Sequence, residues 1–213
     1  MSFRDALKAY LVNPGDYPED VIFHDEEVVI IRDRFPKSQC HYLVLIRDLS
    51  ESRKKPWALS TEIKLKLQPY IEWALNHAFE SFTKEYEWKG TKVAPFANKA
   101  QFHNKNYFFE NFTKVGIHSV PSLNNLHVHV MTKDFHSERL KNKKHYNSFN
   151  TEFFVSWDKL PLESVDVKYM EETVIKKRDL KCCYCNENFK NRFSQLKLHL
   201  DHEFAKRFVK CSM

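Results

Sequence analysis

Apolar residues along the first half of the chain follow two different periods. Val21-Ile22-Phe23 and Val28 to Arg32 read as short strands, with Asp25-Glu26-Glu27 as a hairpin turn between them. Tyr42 to Ile46 (YLVLI) is an uninterrupted apolar run of the length that suits a central strand. The period then changes. Ile71, Leu75, Phe79, Phe82 and Tyr86 recur at three and four, which predicts a long amphipathic helix over about residues 69–87 with Pro69 in its first turn. A shorter amphipathic stretch, Phe3 to Leu11, predicts an earlier helix closed by the turn Asn13-Pro14-Gly15. Farther on, Tyr107 to Ser119 and Leu126 to Thr132 read as strands joined at Pro121-Ser122, and Phe153 to Trp157 as another. Residues 133–150 are polar and basic, and a charged linker near 166–178 leads to clustered cysteines. The pattern predicts an α+β body over residues 1–165 and a small basic module over 166–213, without internal repeats.

Composition narrows the function. The 213 residues are 42% hydrophobic and 15% aromatic, enough to build a core. Three glycines are too few for a Rossmann loop or a P-loop, so Gly-rich phosphate cradles are excluded. No window approaches a membrane span, and the N-terminal MSFRDALKAY lacks an apolar signal core, so a soluble intracellular protein is expected. The net charge is +6, and residues 176–213 hold ten Lys/Arg against four Asp/Glu, so the tail carries all of it. A basic tail on a neutral body points to a polyanion partner, nucleic acid above all. Of five cysteines, Cys182, Cys183 and Cys185 lie too close together to staple a fold, and without a secretory signal such a cluster suggests metal.

The sharpest feature of the body is Leu126-His127-Val128-His129-Val130. Alternate residues of a strand face one side, so His127 and His129 share a face while Leu126, Val128 and Val130 bury the other. His118 precedes them across the Pro121-Ser122 turn, which can bring His118, Ser122, His127 and His129 to one mouth. No carboxylate lies between His118 and Val130, which disfavours a metalloprotease-like site and a catalytic metal. A neutral imidazole can attack phosphorus and leave as the neutral base, so a histidine nucleophile suits nucleotidyl transfer.

In the tail, Cys182 and Cys185 are spaced C-x2-C, and His199 follows after thirteen residues behind the helix-like Phe193 to Leu198. This is close to zinc-finger grammar and predicts one structural zinc ion. Cys183 is then a bystander, and Phe189 and Leu196 form the small core that the metal supplements. The fourth ligand is either His202, after two residues, or Glu203, after three. Glu203 lies one helical turn beyond His199 and is preferred.

The run His118-Ser119-Val120-Pro121-Ser122-Leu123-Asn124-Asn125-Leu126-His127-Val128-His129-Val130-Met131 resembles the histidine-triad motif in its aprataxin form. Ile31 to Lys37 and His41 to Leu45 resemble the nucleotide-binding strands of that family, and Leu140 to Asn150 (LKNKKHYNSFN) resembles a segment particular to aprataxins. Together with the C-terminal finger, the resemblance covers nearly the whole chain. One position departs from the pattern: the first triad histidine is Asn125 here. The resemblance implies a histidine-triad fold, an antiparallel sheet with flanking helices, followed by a small zinc finger. It also implies a DNA 5′-adenylate hydrolase that removes AMP from abortive ligation intermediates.

Carried over by position, the resemblance makes His127 the nucleophile that becomes adenylyl-histidine and His118 the group that protonates or stabilises the departing DNA 5′-phosphate. His129 and Ser122 contact the adenylate phosphate, Asp33 accepts from the ribose hydroxyls, and Lys37 lies beside the nucleotide. Lys143, His145 and Ser148 grip the DNA end. Phe3 stacks on the terminal base pair, although its pattern alone assigns it to the core. The implied partners are 5′-adenylated nicks or ends, with AMP as product and no membrane. The implied location is the nucleus, with the cytoplasm second. Recruitment through the N-terminal phosphopeptide-binding domain of larger family members is expected to be absent. Two rival readings remain: a histidine-triad hydrolase of small adenylated or capped nucleotides, and a non-catalytic nucleic-acid-binding module. The tail is expected to add DNA affinity without being needed for chemistry on a small adenylate.

Overall fold

In the computed structural model, which describes residues 2–91 and 93–211, six of the strands form one antiparallel sheet. In chain order these are β1 (Val21–His24), β2 (Val28–Arg32), β3 (His41–Ile46), β5 (Thr113–His118), β6 (Val128–Thr132) and β7 (Phe154–Ser156). β4 (Tyr86–Trp88) lies outside the sheet, whose spatial order is β1-β2-β3-β6-β5-β7. Every residue of β3 and β6 is buried, and β3 accordingly contains the continuous apolar run Tyr42 to Ile46. The β1–β2 hairpin closes where expected, with the Asp25 carboxylate accepting from the Glu27 and Val28 backbone N–H groups at 2.8 Å each.

The two faces of the sheet have different coverings. Val28, Ile30, Tyr42, Val44, Ile46, Val128 and Val130 share a core with the long helix α2 (Thr61–Glu85). Val29, Ile31, Leu43 and Leu45, on the other face, pack under Leu7, Tyr10 and Leu11 from the segment of α1 (Lys8–Val12). Strand parity puts His41 and His129 on this second face, with Leu43 paired directly to His129. The site therefore occupies the face that α2 leaves free.

Several boundaries differ from the sequence pattern. α2 starts about eight residues earlier, where the Ser60 side chain accepts from the Ile63 N–H at 3.3 Å. Pro69 thus lies inside the helix. Pro69 and Leu65, whose carbonyl would take the missing N–H, are both exposed, so the interruption lies on the solvent side of the helix. The first helix is split into a 3₁₀ turn (Phe3–Asp5) and α1. The stretch 107–119 is not one strand. A short helix α3 (Lys99–Phe102) is followed by α4 (Lys105–Phe112), whose start is capped by Asn104 accepting from the Tyr107 N–H at 2.9 Å. Phe108 and Phe112, one turn apart, are buried, and β5 begins only at Thr113. The basic stretch holds α5 (Lys143–Asn150), begun by Asn142 accepting from the His145 N–H at 3.0 Å.

The linker is helical, an α-turn α6 (Val167–Tyr169), a π-helical stretch (Met170–Val174) and an α-turn α7 (Ile175–Lys177). The finger adds a hairpin of β8 (Leu180–Lys181) and β9 (Asn188–Lys190), the helix α8 (Phe193–Arg207) and β10 (Phe208–Lys210). It shares its core with the body. β10 pairs with β4, matching Phe208 to Trp88, and Phe204 and Phe208 pack among Phe82, Phe96, Phe102 and Phe112. Leu180, Leu196 and Leu200 share a second cluster with Met131, Phe135, Tyr146 and Phe149. Arg207, 1% exposed, joins the two parts: it donates to Glu203, donates from Nε to the Ala94 carbonyl, and lies 4.3 Å over the Tyr184 ring. This packing runs against the expectation that the tail is dispensable to the body.

Candidate active site

His118 at the end of β5, His127 just before β6 and His129 within it bring ring nitrogens within 4.8 Å of one another. Close approach of β5 and β7 helps set this spacing, because Gly116 is the direct partner of both His129 and Ser156. A Cβ on Gly116 would meet the Val155 carbonyl oxygen at 2.1 Å. His127 and His129 are buried, and the His118 Nε2 is shut off from solvent.

The hydrogen bonds fix the tautomers. His127 Nδ1 lies 2.7 Å from the Asn125 carbonyl oxygen, which can only accept. The proton is therefore on Nδ1, and the lone pair of neutral His127 is on Nε2. His41 Nδ1 accepts the Lys37 backbone N–H at 3.1 Å, so the His41 Nε2–H donates to His129 Nδ1 at 2.9 Å. His129 then carries its proton on Nε2, which is buried without a partner. The histidines thus present a free base at His127 and an unused N–H donor at His129 to the same place.

Burial dominates their titration. Desolvation holds His118 and His129 well below the ordinary imidazole range, and neighbouring imidazoles push them the same way. Desolvation also lowers His127, against the opposing pull of its bond to Asn125 and the charge of Asp33. His41 is pushed down to about 4 by burial, with the nearby Asp33 carboxylate opposing.

On the His129 flank, an Asp33 oxygen lies 3.6 Å from His41 Nε2 while its other oxygen accepts the Phe35 N–H at 2.8 Å. Lys37 is buried and donates to the Phe35 carbonyl; desolvation lowers it, with Asp33 opposing. Ser122 is exposed on the loop between β5 and β6, outside the histidine cluster. Asn125, in place of the first triad histidine, donates its side-chain N–H to Ser52 Oγ at 3.0 Å. Its backbone carbonyl, which any residue supplies, holds the His127 ring.

The expected DNA contacts are distributed around this centre. α5 carries Lys143, His145 and Ser148, all half-buried, with Lys143 donating to Asn191 of the finger. Phe3 is 75% exposed on its 3₁₀ turn, so the core assignment from pattern alone is not what the fold shows. The turn is tied down by the Asn124 N–H donating to the Arg4 carbonyl at 2.7 Å. Sequence reasoning missed His41 and Phe149. Phe149 touches three of the histidines, with ring centroids 4.6 Å from His118, 5.0 Å from His129 and 5.4 Å from His41. The parity of His41 with Leu43 and Leu45 was the signal available for the first.

In the finger, Cys182, Cys185 and His199 place their ligand atoms within 4.8 Å of one another, with Cys185 Sγ 3.3 Å from His199 Nε2. Two thiols and an imidazole are a zinc donor set. Glu203, one turn past His199, is buried and bonded to Arg207 at 2.5 Å and Lys206 at 3.2 Å, while His202 is exposed.

Residues 15–136 match the HIT domain model, and residues 150–206 match a C2HE / C2H2 / C2HC zinc-binding finger. An aprataxin-like protein of Saccharomyces cerevisiae is 47% identical over 98% of this chain and 99% of its own length. The aprataxin-like protein of Schizosaccharomyces pombe is 36% identical over 95% of this chain and 82% of its own. The chain belongs to the aprataxin family. It is a hydrolase of the HIT class with a zinc-finger region behind the catalytic sheet. Among solved structures, the aprataxin ortholog Hnt3 in complex with DNA is 35% identical, with a TM-score of 0.67 over 95% of this chain and 94% of that one. Another structure holds Hnt3 with DNA and guanosine, at 34% identity and a TM-score of 0.67 over 95% of both chains.

Proposed function

We propose that this aprataxin-family hydrolase removes AMP from adenylated DNA 5′ ends and restores the 5′-phosphate. The observation that carries the reading is the His127 tautomer: the Asn125 carbonyl holds the proton on Nδ1, and Nε2 is a free, neutral nucleophile beside two further imidazoles. In the first step Nε2 forms a bond to the adenylate phosphorus while the bond from phosphorus to the oxygen of the DNA 5′-phosphate breaks, giving adenylyl-His127. His118, kept neutral by burial, stabilises the departing phosphate by N–H donation. Water then breaks the N–P bond, releasing AMP and the free imidazole. The unpartnered His129 N–H and the exposed Ser122 hydroxyl contact the phosphate oxygens. Asp33 holds the ribose hydroxyls and Lys37 stands beside the nucleotide.

DNA as the partner is supported by the charged tail, by α5 with Lys143, His145 and Ser148, and by the exposed Phe3, which stacks on the terminal base pair. One structural zinc ion would be held by Cys182, Cys185, His199 and Glu203, with Glu203 turning from its ion pair to complete the set; the chemistry itself uses no metal. The substrate implies a nuclear location. The test is a nicked duplex bearing a 5′-adenylate. The wild-type chain should yield AMP and a 5′-phosphate, and His127→Ala should release no AMP while binding the nick within a few-fold of wild type, because phosphate contacts dominate affinity. Full turnover by the variant would refute the mechanism. Equal efficiency on adenylated DNA and on a small adenylate would favour the small-nucleotide reading.

A further inference from the structure

Beside the nucleophile lies a crevice that the proposed chemistry has not used. Its lining brings together His118, His127 and Asn125 with Lys54 and Lys55. Both lysines are half-buried, and among the described residues neither side chain makes an ion pair or a hydrogen bond. Their neighbours are different: Arg53 pairs with Asp5, Lys64 donates to the Leu160 carbonyl, and Lys66 pairs with Glu27. The lysine loop is also held in place. Asn125 bonds the Ser52 hydroxyl at 3.0 Å, and the Leu126 N–H donates to the Ser52 carbonyl at 2.5 Å. The backbone unit that orients His127 is therefore also tied to the loop that carries Lys54 and Lys55. Two unpaired cations lining one crevice with two imidazoles kept neutral by burial suit an anion.

The two flanks of the histidine cluster separate the two halves of a substrate. Asp33 and Lys37 stand on the His41–His129 side, and the lysine crevice borders the nucleophile and His118. With the nucleoside at Asp33, the polynucleotide leaves past His118. We infer that Lys54 and Lys55 bind the phosphodiester backbone of the strand whose 5′ end is being freed, and so favour adenylated polynucleotide over small adenylates. This rests on the deadenylase reading above. On this assignment Asn125 has exchanged a place in the histidine triad for a tie that positions a strand-binding loop.

The test measures the dissociation constant of the full chain for a nicked duplex with an unadenylated 5′-phosphate, across salt concentration, for wild type, Lys54→Gln/Lys55→Gln and the charge control Lys84→Gln on the exposed end of α2. The double variant should bind roughly tenfold more weakly and lose about two from the slope of log affinity against log salt, while the control keeps the wild-type slope. The efficiency ratio of adenylated nick to small adenylate should fall by a similar factor through KM. Lys54→Arg/Lys55→Arg should restore both. Unchanged affinity and slope in the double variant would overturn the inference. Equal loss on both substrates would also overturn it, because the lysines would then serve the reacting phosphate or the fold. A wild-type chain that binds the nick but releases no AMP would sink the deadenylase reading and leave the binding comparison intact.

Discussion

At the scale of single residues, the proton positions decide what the site can do. The free Nε2 of His127 depends on a backbone carbonyl, so the replacement of histidine by Asn125 leaves that tautomer intact. Burial also sets the response to pH. With the imidazoles held below their ordinary value of 6.5, His127 is already neutral there, so on the proposed mechanism AMP release should stay level from pH 8 to 6.5 and decline only at lower pH. Stability shifts in the same direction. His41 titrates near 4 when folded and near 6.5 when unfolded, so the unfolded chain takes up the proton first. Its contribution is complete above about pH 6.5 and is lost as pH falls toward 4. Turnover and urea midpoints measured together across that range check both statements; a half-maximal rate above pH 7 would contradict the first. The pair His127 and His129 was legible in the sequence because strand alternation displays it. For His41 the sequence displayed only its parity with Leu43 and Leu45, since its role depends on which strand lies beside β6, across 88 residues.

Among the elements, the hairpin β1–β2, the strand β3 and the body of α2 follow from period and turn residues, and all three formed where the pattern placed them. The pattern failed where local signals competed. Tyr107 to Phe112 is rich in aromatic residues that suit a strand, yet the Asn104 cap and the one-turn spacing of Phe108 and Phe112 favour a helix. Pro69 marks a helix start by habit, but on an exposed face it is tolerated inside one. Gly116 gave no signal at all, because its requirement arises from β7 pairing closely beside it. Gly116→Ala should therefore lower stability by about 1–3 kcal/mol and lower turnover together, as Val155 is pushed from its place beside the histidine strand. Chemical denaturation measures the first and AMP release the second. A fully stable variant would show that β7 yields without cost.

Taken whole, the body and the tail share two of the molecule's hydrophobic clusters across the division near residue 165. Phe204 and Phe208 lie in the core of the body, and each large aromatic removed from such a place costs about 3–5 kcal/mol, against a total stability of about 5–15 kcal/mol. Truncation after residue 170 should leave a body that does not fold and does not hydrolyse even a small adenylate, read by circular dichroism and AMP release. Chelation of zinc from the full chain should lower the melting temperature of the body and finger in a single transition, reversed by added zinc; two separate transitions would refute the shared interior. The grouping of Cys182, Cys185 and His199 and the basic tail were legible in the sequence, but the docking of the tail was not, since Arg207 looks like one more solvated cation until Ala94 and Tyr184 surround it. The pairing of β10 with β4 also bears on how the chain is made. Residues 208–210 complete a core begun by residues 28–46, so a chain emerging from the ribosome cannot close its interior until residue 210 is free of the exit tunnel. At about 5–20 residues per second, the phenylalanines of α2 and α4 are exposed for several seconds during every round of synthesis, and that interval is when chaperones have most to protect.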